Sequence, residues 1–278
     1  MFASPFIDET FDIYNCHNYT LSIRCAPDGF SFSVLDLTVN KFIVLSEFEL
    51  NAASPFELKN ELTSLIEKEP ILKQTYKNVK ISYTTAETTV VPEALYKAEE
   101  IDAIFRLSFE QNRNNELMAT GTGSDFLQLS SIPKIIKDLM VKYFPNAKFY
   151  APTSSLFHYN MKQRGHHDRL LVEINQHVMF LIFSKDGAPQ LMNSFFVKND
   201  TDCMYYILNT IKQLQGDSKT EIVLLGKVVP KAELETMLKR YFEKVSYARF
   251  NQNYAVSYTF YQEPEHFHIA TTELALCE

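Results

Sequence analysis

The sequence predicts an α/β fold built twice from a β-β-β-α-β-α unit. Three observations carry this. Between Asp168 and Val197, three short runs rich in apolar, β-branched and aromatic residues are split by the turn signals Asn175-Gln176 and Asp186-Gly187, the pattern of a meander with tight hairpins. Met204, Ile207, Leu208, Ile211 and Leu214 then recur at helical spacing, and Glu221 to Leu225 forms another apolar strand. The same order occurs in the first half of the chain.

In that first half, Leu21 to Cys25 reads as a strand and Ala26-Pro27-Asp28-Gly29 as a turn. Phe30 to Asp36 alternates Phe30, Phe32 and Val34 with Ser31 and Ser33, a strand with two distinct faces. Lys41 to Leu50 is the third strand. Ser54-Pro55 opens a helix with Pro at its first position and Phe56, Leu62, Leu65 and Ile66 as its apolar stripe. Val79 to Thr84 is the fourth strand. Val90-Val91-Pro92 then matches Val228-Val229-Pro230 in the second half, each read as a strand-to-helix step.

Between the halves, Arg106 to Phe109 reads as a strand, and Leu117 to Thr120 with Phe126 to Leu129 as a hairpin around Gly121-Thr122-Gly123-Ser124. Ile132, Ile135, Ile136, Leu139, Met140, Tyr143 and Phe144 make an amphipathic helix after Pro133. Lys148 to Ala151 reads as a strand, Ser154 to Gln163 as a helix, and Arg164 to Asp168 as a polar link. The tail from Tyr247 to Cys277 reads as two or three strands, Ala255 to Tyr261 the clearest. The 278 residues suffice for two domains: 1–149, with an inserted region at about 100–147, and 150–278.

A formal net charge of −7 argues against nucleic acid and anionic membranes as partners. Lys134, Lys137 and Lys142 lie on a helix that also carries an apolar stripe, a solvated face. Cys16, Cys25, Cys203 and Cys277 contain no Cys-x-x-Cys pair, which predicts reduced thiols. Met1 to Thr10 carries no basic and apolar leader, and no apolar run approaches the roughly 18 residues of a membrane span, so a cytoplasmic location is expected and membrane insertion is not.

The doubled meander-helix-strand-helix order, with Ile132-Pro133-Lys134 through Phe144-Pro145 and Phe149-Tyr150-Ala151, resembles the actin-like ATPase superfamily, whose halves are ribonuclease H-like. The whole chain is similar to an uncharacterised bacterial family, a domain of unknown function with that fold. The resemblance implies a nucleotide cleft between the halves. In such ATPases a hairpin in each half supplies an acid and glycines, whose backbone N–H groups wrap phosphates while the acid holds Mg²⁺ through water. The matching positions are Asp28 and Gly29 in the first half, Glu173 and Asn175 in the second, and Gly226 with Lys227 for the adenosine loop. The pattern is degenerate. The first strand carries no acid, Pro27 lacks an N–H, the Asn175-Gln176 turn has no glycine, and Gly226 lacks a second glycine beside it.

Other motifs carry less. Gly121-x-Gly123 lacks the Gly-Lys-Ser/Thr of a phosphate loop and reads as a turn. His166-His167-Asp168 has no ligand partners placed by spacing, and His266-x-His268, near Glu263 and Glu265, reads as a solvent-facing polar strand. Ser124, Ser154 and Ser155 lack a Gly-x-Ser-x-Gly elbow, and the carboxylates of a two-metal nuclease are missing. No catalytic or metal-ligating set is therefore assigned, and no cofactor is expected. Two functions stay open: a non-catalytic actin-like protein that binds an unidentified protein partner, and a divergent ATPase or kinase-like enzyme using ATP and Mg²⁺ in the cleft.

Overall fold

The first half begins with a short strand, β1 (Phe6–Ile7), and the meander β2 (Tyr19–Ala26), β3 (Gly29–Asp36) and β4 (Lys41–Glu49). In this computed structural model, which describes residues 5–110, 112–163 and 167–278, α1 (Pro55–Lys68) follows. Its start is fixed locally. The Ser54 side chain accepts from the Glu57 N–H, Pro55 occupies the first turn, and the Glu57 carboxylate returns to the Ala53 N–H at 2.9 Å. Then come β5 (Asn78–Tyr83), β6 (Thr88–Pro92), α2 (Ile101–Phe105), β7 (Asn115–Gly121), β8 (Phe126–Pro133), α3 (Lys134–Tyr143), β9 (Lys148–Tyr150) and α4 (Ser154–Lys162).

The second half repeats this plan with β10 (Arg169–Asn175), β11 (Val178–Lys185), β12 (Ala188–Phe196), α5 (Asp200–Gln213), β13 (Glu221–Gly226), α6 (Glu233–Leu238) and β14 (Val245–Tyr247). β15 (Ala255–Val256) and α7 (Ile269–Leu274) complete it. The sheet orders correspond strand for strand: β4-β3-β2-β5-β9 in the first half and β12-β11-β10-β13-β14 in the second. In both, the meander is antiparallel and the last two strands join in parallel. β1 and β15 add to β4, and β6-β8-β7 form a separate three-stranded sheet. This is the duplicated ribonuclease H-like pair in an actin-like arrangement.

The central strands of the two large sheets are buried on both faces, which explains why strands such as Leu170–Val172 read as continuous apolar runs. Leu170 and Val172 face a core shared with Ile207 and Ile211 of α5, while Leu171 faces a second core with Leu156 and Phe157 of α4. The end helices are exchanged. α4 follows the first half's last strand yet packs on β10 and β11, and α7 follows the second half yet packs on β2, β3 and β5. Ser22 Oγ donates to Thr271 O at 3.0 Å, and Lys80 Nζ donates to Ala275 O at 2.8 Å. His158 Nδ1 of α4 lies 2.6 Å from Glu273 Oε2 of α7, tying the two helices together.

Three sequence expectations are corrected. The Val-Val-Pro matches are not equivalent: Val90–Pro92 ends β6 in the small sheet, whereas Val228–Pro230 leads into α6, whose counterpart α3 follows Pro133. Duplication is carried by strand order alone. Arg106–Phe109 is not a strand. It turns the chain after α2, where the rings of Phe105 and Phe109 sit 5.0 Å apart across one helical turn. In the tail the strand expected at Ala255 to Tyr261 shrinks to β15 at Ala255–Val256, and 3₁₀ turns at Tyr258–Gln262 and Glu265–Phe267 lead into α7. Those segments are too short to show a helical period, and their aromatic content imitates strand composition.

Candidate functional site in the interdomain cleft

Two hairpins face each other where the halves meet. The β2–β3 hairpin closes on the pair Ala26–Gly29 and the β10–β11 hairpin on Asn175–Val178, so both turns contain two residues. Counting back from these closing pairs makes Arg24 and Glu173 equivalent. They meet: Arg24 Nη1 lies 2.8 Å from Glu173 Oε1, and the residues are 8% and 0% exposed. Asn175 Nδ2 donates to the same Glu173 oxygen at 2.8 Å. Arg24 Nε and Nη2 and Glu173 Oε2 are buried and make no hydrogen bond.

The pair borders a cleft of about 410 Å³ that Asp28, Gly29, Asn175 and Lys227 line. Burial pushes the Asp28 carboxyl above its ordinary range. Gly29 has no crowding that requires glycine, its nearest neighbour at an added Cβ being Phe48 O at 3.5 Å. Gly226 does require it. Its φ is +74°, and an added Cβ would lie 2.3 Å from Ile174 O, where the parallel strands β10 and β13 close together. The next residue, Lys227, donates its N–H to that carbonyl at 2.8 Å. Its ammonium reaches across the cleft to Glu47 Oε2 of β4 at 2.6 Å and lies 4.7 Å from the centre of the Phe267 ring.

Behind the lining, His268 contacts Glu47 and Glu263, which do line the cleft. It is 1% exposed, with Nε2 2.8 Å from Glu263 Oε2 and Nδ1 3.6 Å from Glu47 Oε2. The His268 contact holds the Glu263 carboxyl below its usual range. His266 Nε2 pairs with Val228 O at 2.8 Å, and burial lowers its imidazole pKa. The expected solvent-facing strand is therefore a buried turn with both rings inside. Among the described residues, Glu47, Glu263 and His268 offer oxygen, oxygen and nitrogen atoms within 4.8 Å of one another, a spacing that suits a divalent cation. Lys227 already supplies positive charge to Glu47 there.

A family model matches residues 8–245, more than half of the sequence. The chain belongs to DUF3822, a family of proteins of unknown function. No curated protein matches it. A Bacteroides thetaiotaomicron protein with an actin-like ATPase fold and unknown function is 24% identical and superposes with a TM-score of 0.81 over 97% of this chain and 100% of its own. A PilM-PilN type IV pilus biogenesis complex gives a TM-score of 0.59 at 10% identity, over 92% of this chain and 97% of the matched one. Both establish the fold of this DUF3822 chain.

The other sequence motifs of this DUF3822 chain lie elsewhere. Gly121–Ser124 forms the β7–β8 turn, held by Thr122 Oγ1 donating to Phe126 O at 2.7 Å. Ser154 Oγ donates to Gln128 Oε1 at 2.9 Å, Ser155 is buried in α4, and His158 is engaged by Glu273. His167 Nε2 lies 2.6 Å from Glu221 Oε2, and His166 lies outside the described residues. No described helix is long and apolar enough to cross a membrane. Sequence reasoning named Glu173 but missed Arg24 and Glu47, and it singled out His268 beside Glu263 yet read them as a solvent-facing strand. Arg24 had a signal: aligning the two hairpins places it opposite Glu173 with opposite charge.

Proposed function

We propose that this chain is a non-hydrolysing actin-like module that acts in the cytoplasm by binding a protein partner, with the walls of its cleft bridged by its own side chains. The observation that carries this reading is the Arg24–Glu173 ion pair joining the two hairpins. A nucleotide whose phosphates lie between such hairpins would have to separate two buried charges, and breaking a buried pair costs about 3–5 kcal/mol. The cleft lining adds four acids, Asp28, Glu47, Glu49 and Glu263, against two cations, Arg24 and Lys227, a poor setting for a triphosphate. Lys227 is already neutralised by Glu47.

A partner protein makes no such demand on the cleft. The PilM–PilN neighbour is itself a complex of a protein with a second one, which supports the reading by analogy of fold. The four free, buried cysteines fit a reducing compartment.

The second reading, a divergent ATPase or kinase-like enzyme, draws on Lys227 at the cleft wall and on the unpartnered Arg24 Nε and Nη2. Calorimetric titration with ATP-Mg²⁺ separates the two. The expected result is a dissociation constant weaker than about 1 mM. A micromolar value abolished by Lys227→Ala overturns the first reading in favour of the second.

A further inference from the structure

A second concavity lies at the far ends of β10 and β13, away from the hairpins. Its volume is about 700 Å³, within the usual range for small-molecule sites. In a chain of net charge −7, four cationic side chains among the described residues line it, Lys162, Arg169, Lys244 and Arg249, with Glu221 as the single acid among them.

That acid is fully engaged. Glu221 is buried, and it takes Lys244 Nζ at 2.6 Å, Arg169 Nε at 3.0 Å and His167 Nε2 at 2.6 Å. Lys162, at the end of α4, and Arg249, on the segment after β14, make no ion pair among the described residues and line the same space. The segment bearing Arg249 is anchored rather than free: its backbone N–H donates to Tyr159 OH at 3.3 Å, and the next N–H to Glu265 Oε2 at 2.8 Å. An exposed guanidinium carried on an anchored backbone and an exposed ammonium, both without counterions among the described residues, around a concavity whose one described lining carboxylate is spent, present an excess of positive charge to solvent that a bound anion would neutralise.

We infer that this concavity is an anion site for a small molecule carrying at least two negative charges, such as a phosphate ester, bound by Arg249 and Lys162. Arg249 supplies planar donors for two oxygens and Lys162 a point charge. The inference is independent of the reading of the cleft, since none of these residues lines it.

Inorganic pyrophosphate serves as the probe, titrated into the full chain by calorimetry at about 50 mM and about 300 mM salt. Binding with a dissociation constant below about 1 mM at the lower salt is expected, weakening severalfold at the higher. Arg249→Gln with Lys162→Gln should weaken it at least about tenfold. Neither side chain has an ionic partner to lose, so an unchanged melting curve is expected for the double variant. Lys227→Ala should leave binding unchanged. Absence of heat up to about 10 mM pyrophosphate, an isotherm indifferent to the double variant, or a loss caused by Lys227→Ala each overturns the assignment.

Discussion

Arg24 and Glu173 stand two residues before the closing pair of equivalent hairpins, one in each copy of the duplicated unit, and bind each other at 2.8 Å. The duplication thus places opposite charges at one position and lets the copies neutralise each other. Removing either partner alone leaves the other charge buried. Arg24→Ala or Glu173→Ala should each lower stability by about 3 kcal/mol or more, while Arg24→Leu with Glu173→Leu should recover most of that loss. Urea unfolding of the four proteins measures the coupling. Additive single losses would show that the pair is not a unit.

Gly226→Ala should be among the most damaging small substitutions. The added methyl would meet the Ile174 carbonyl at 2.3 Å in a backbone region that L-residues avoid. A loss above about 2 kcal/mol is expected in chemical denaturation. Gly29→Ala, with its nearest neighbour at 3.5 Å, should cost well under half as much.

Acid stability should report on Glu221. Burial opposes its ionisation, but hydrogen bonds from Lys244, His167 and Arg169 outweigh this and take its pKa from 4.5 to about 2. A depressed folded-state pKa stabilises the protein above pH 4.5, and that stability is lost as the pH falls from 4.5 toward 2. With allowance for the exposure of Lys244 and His167, the effect is about 2 kcal/mol. Glu221→Gln should therefore melt lower than wild type at neutral pH, with the gap closing toward pH 2. A gap that does not change with pH would sink this account.

The four thiols should be silent in the native protein. All are buried, and burial raises each thiol pKa, to about 12 for Cys25, Cys203 and Cys277. Ellman's reagent should titrate less than one thiol per chain in buffer and all four in guanidinium. Rapid modification of the folded protein would point to an opened core.

The repeated meanders were legible because strand runs, two-residue turns and helical spacing are local signals. The first helix was marked by Ser54 and Pro55, and the second meander by Asp186-Gly187, where both residues adopt positive φ. The tail was not legible, since Phe260, His266, His268 and Ile269 are buried by contacts with distant strands rather than by a pattern along their own segment. The candidate site was half legible. The resemblance selected Asp28, Asn175 and Lys227, which line the cleft, and Glu173 and Gly226, which shape it. Glu47 and His268 meet across more than two hundred residues, a distance over which spacing carries no information.

The exchange of α4 and α7 sets an order on biosynthesis. The strands of the first sheet leave the ribosome long before α7, yet Ser22 and Lys80 find their carbonyl partners on and just beyond that helix. Through the making of the whole second half, the nascent sheet carries an uncovered face that only the late helix can seal. Holding chaperones would find their target there during translation. A circular permutant that places α7 ahead of β2 should shorten that exposed interval and depend on them less.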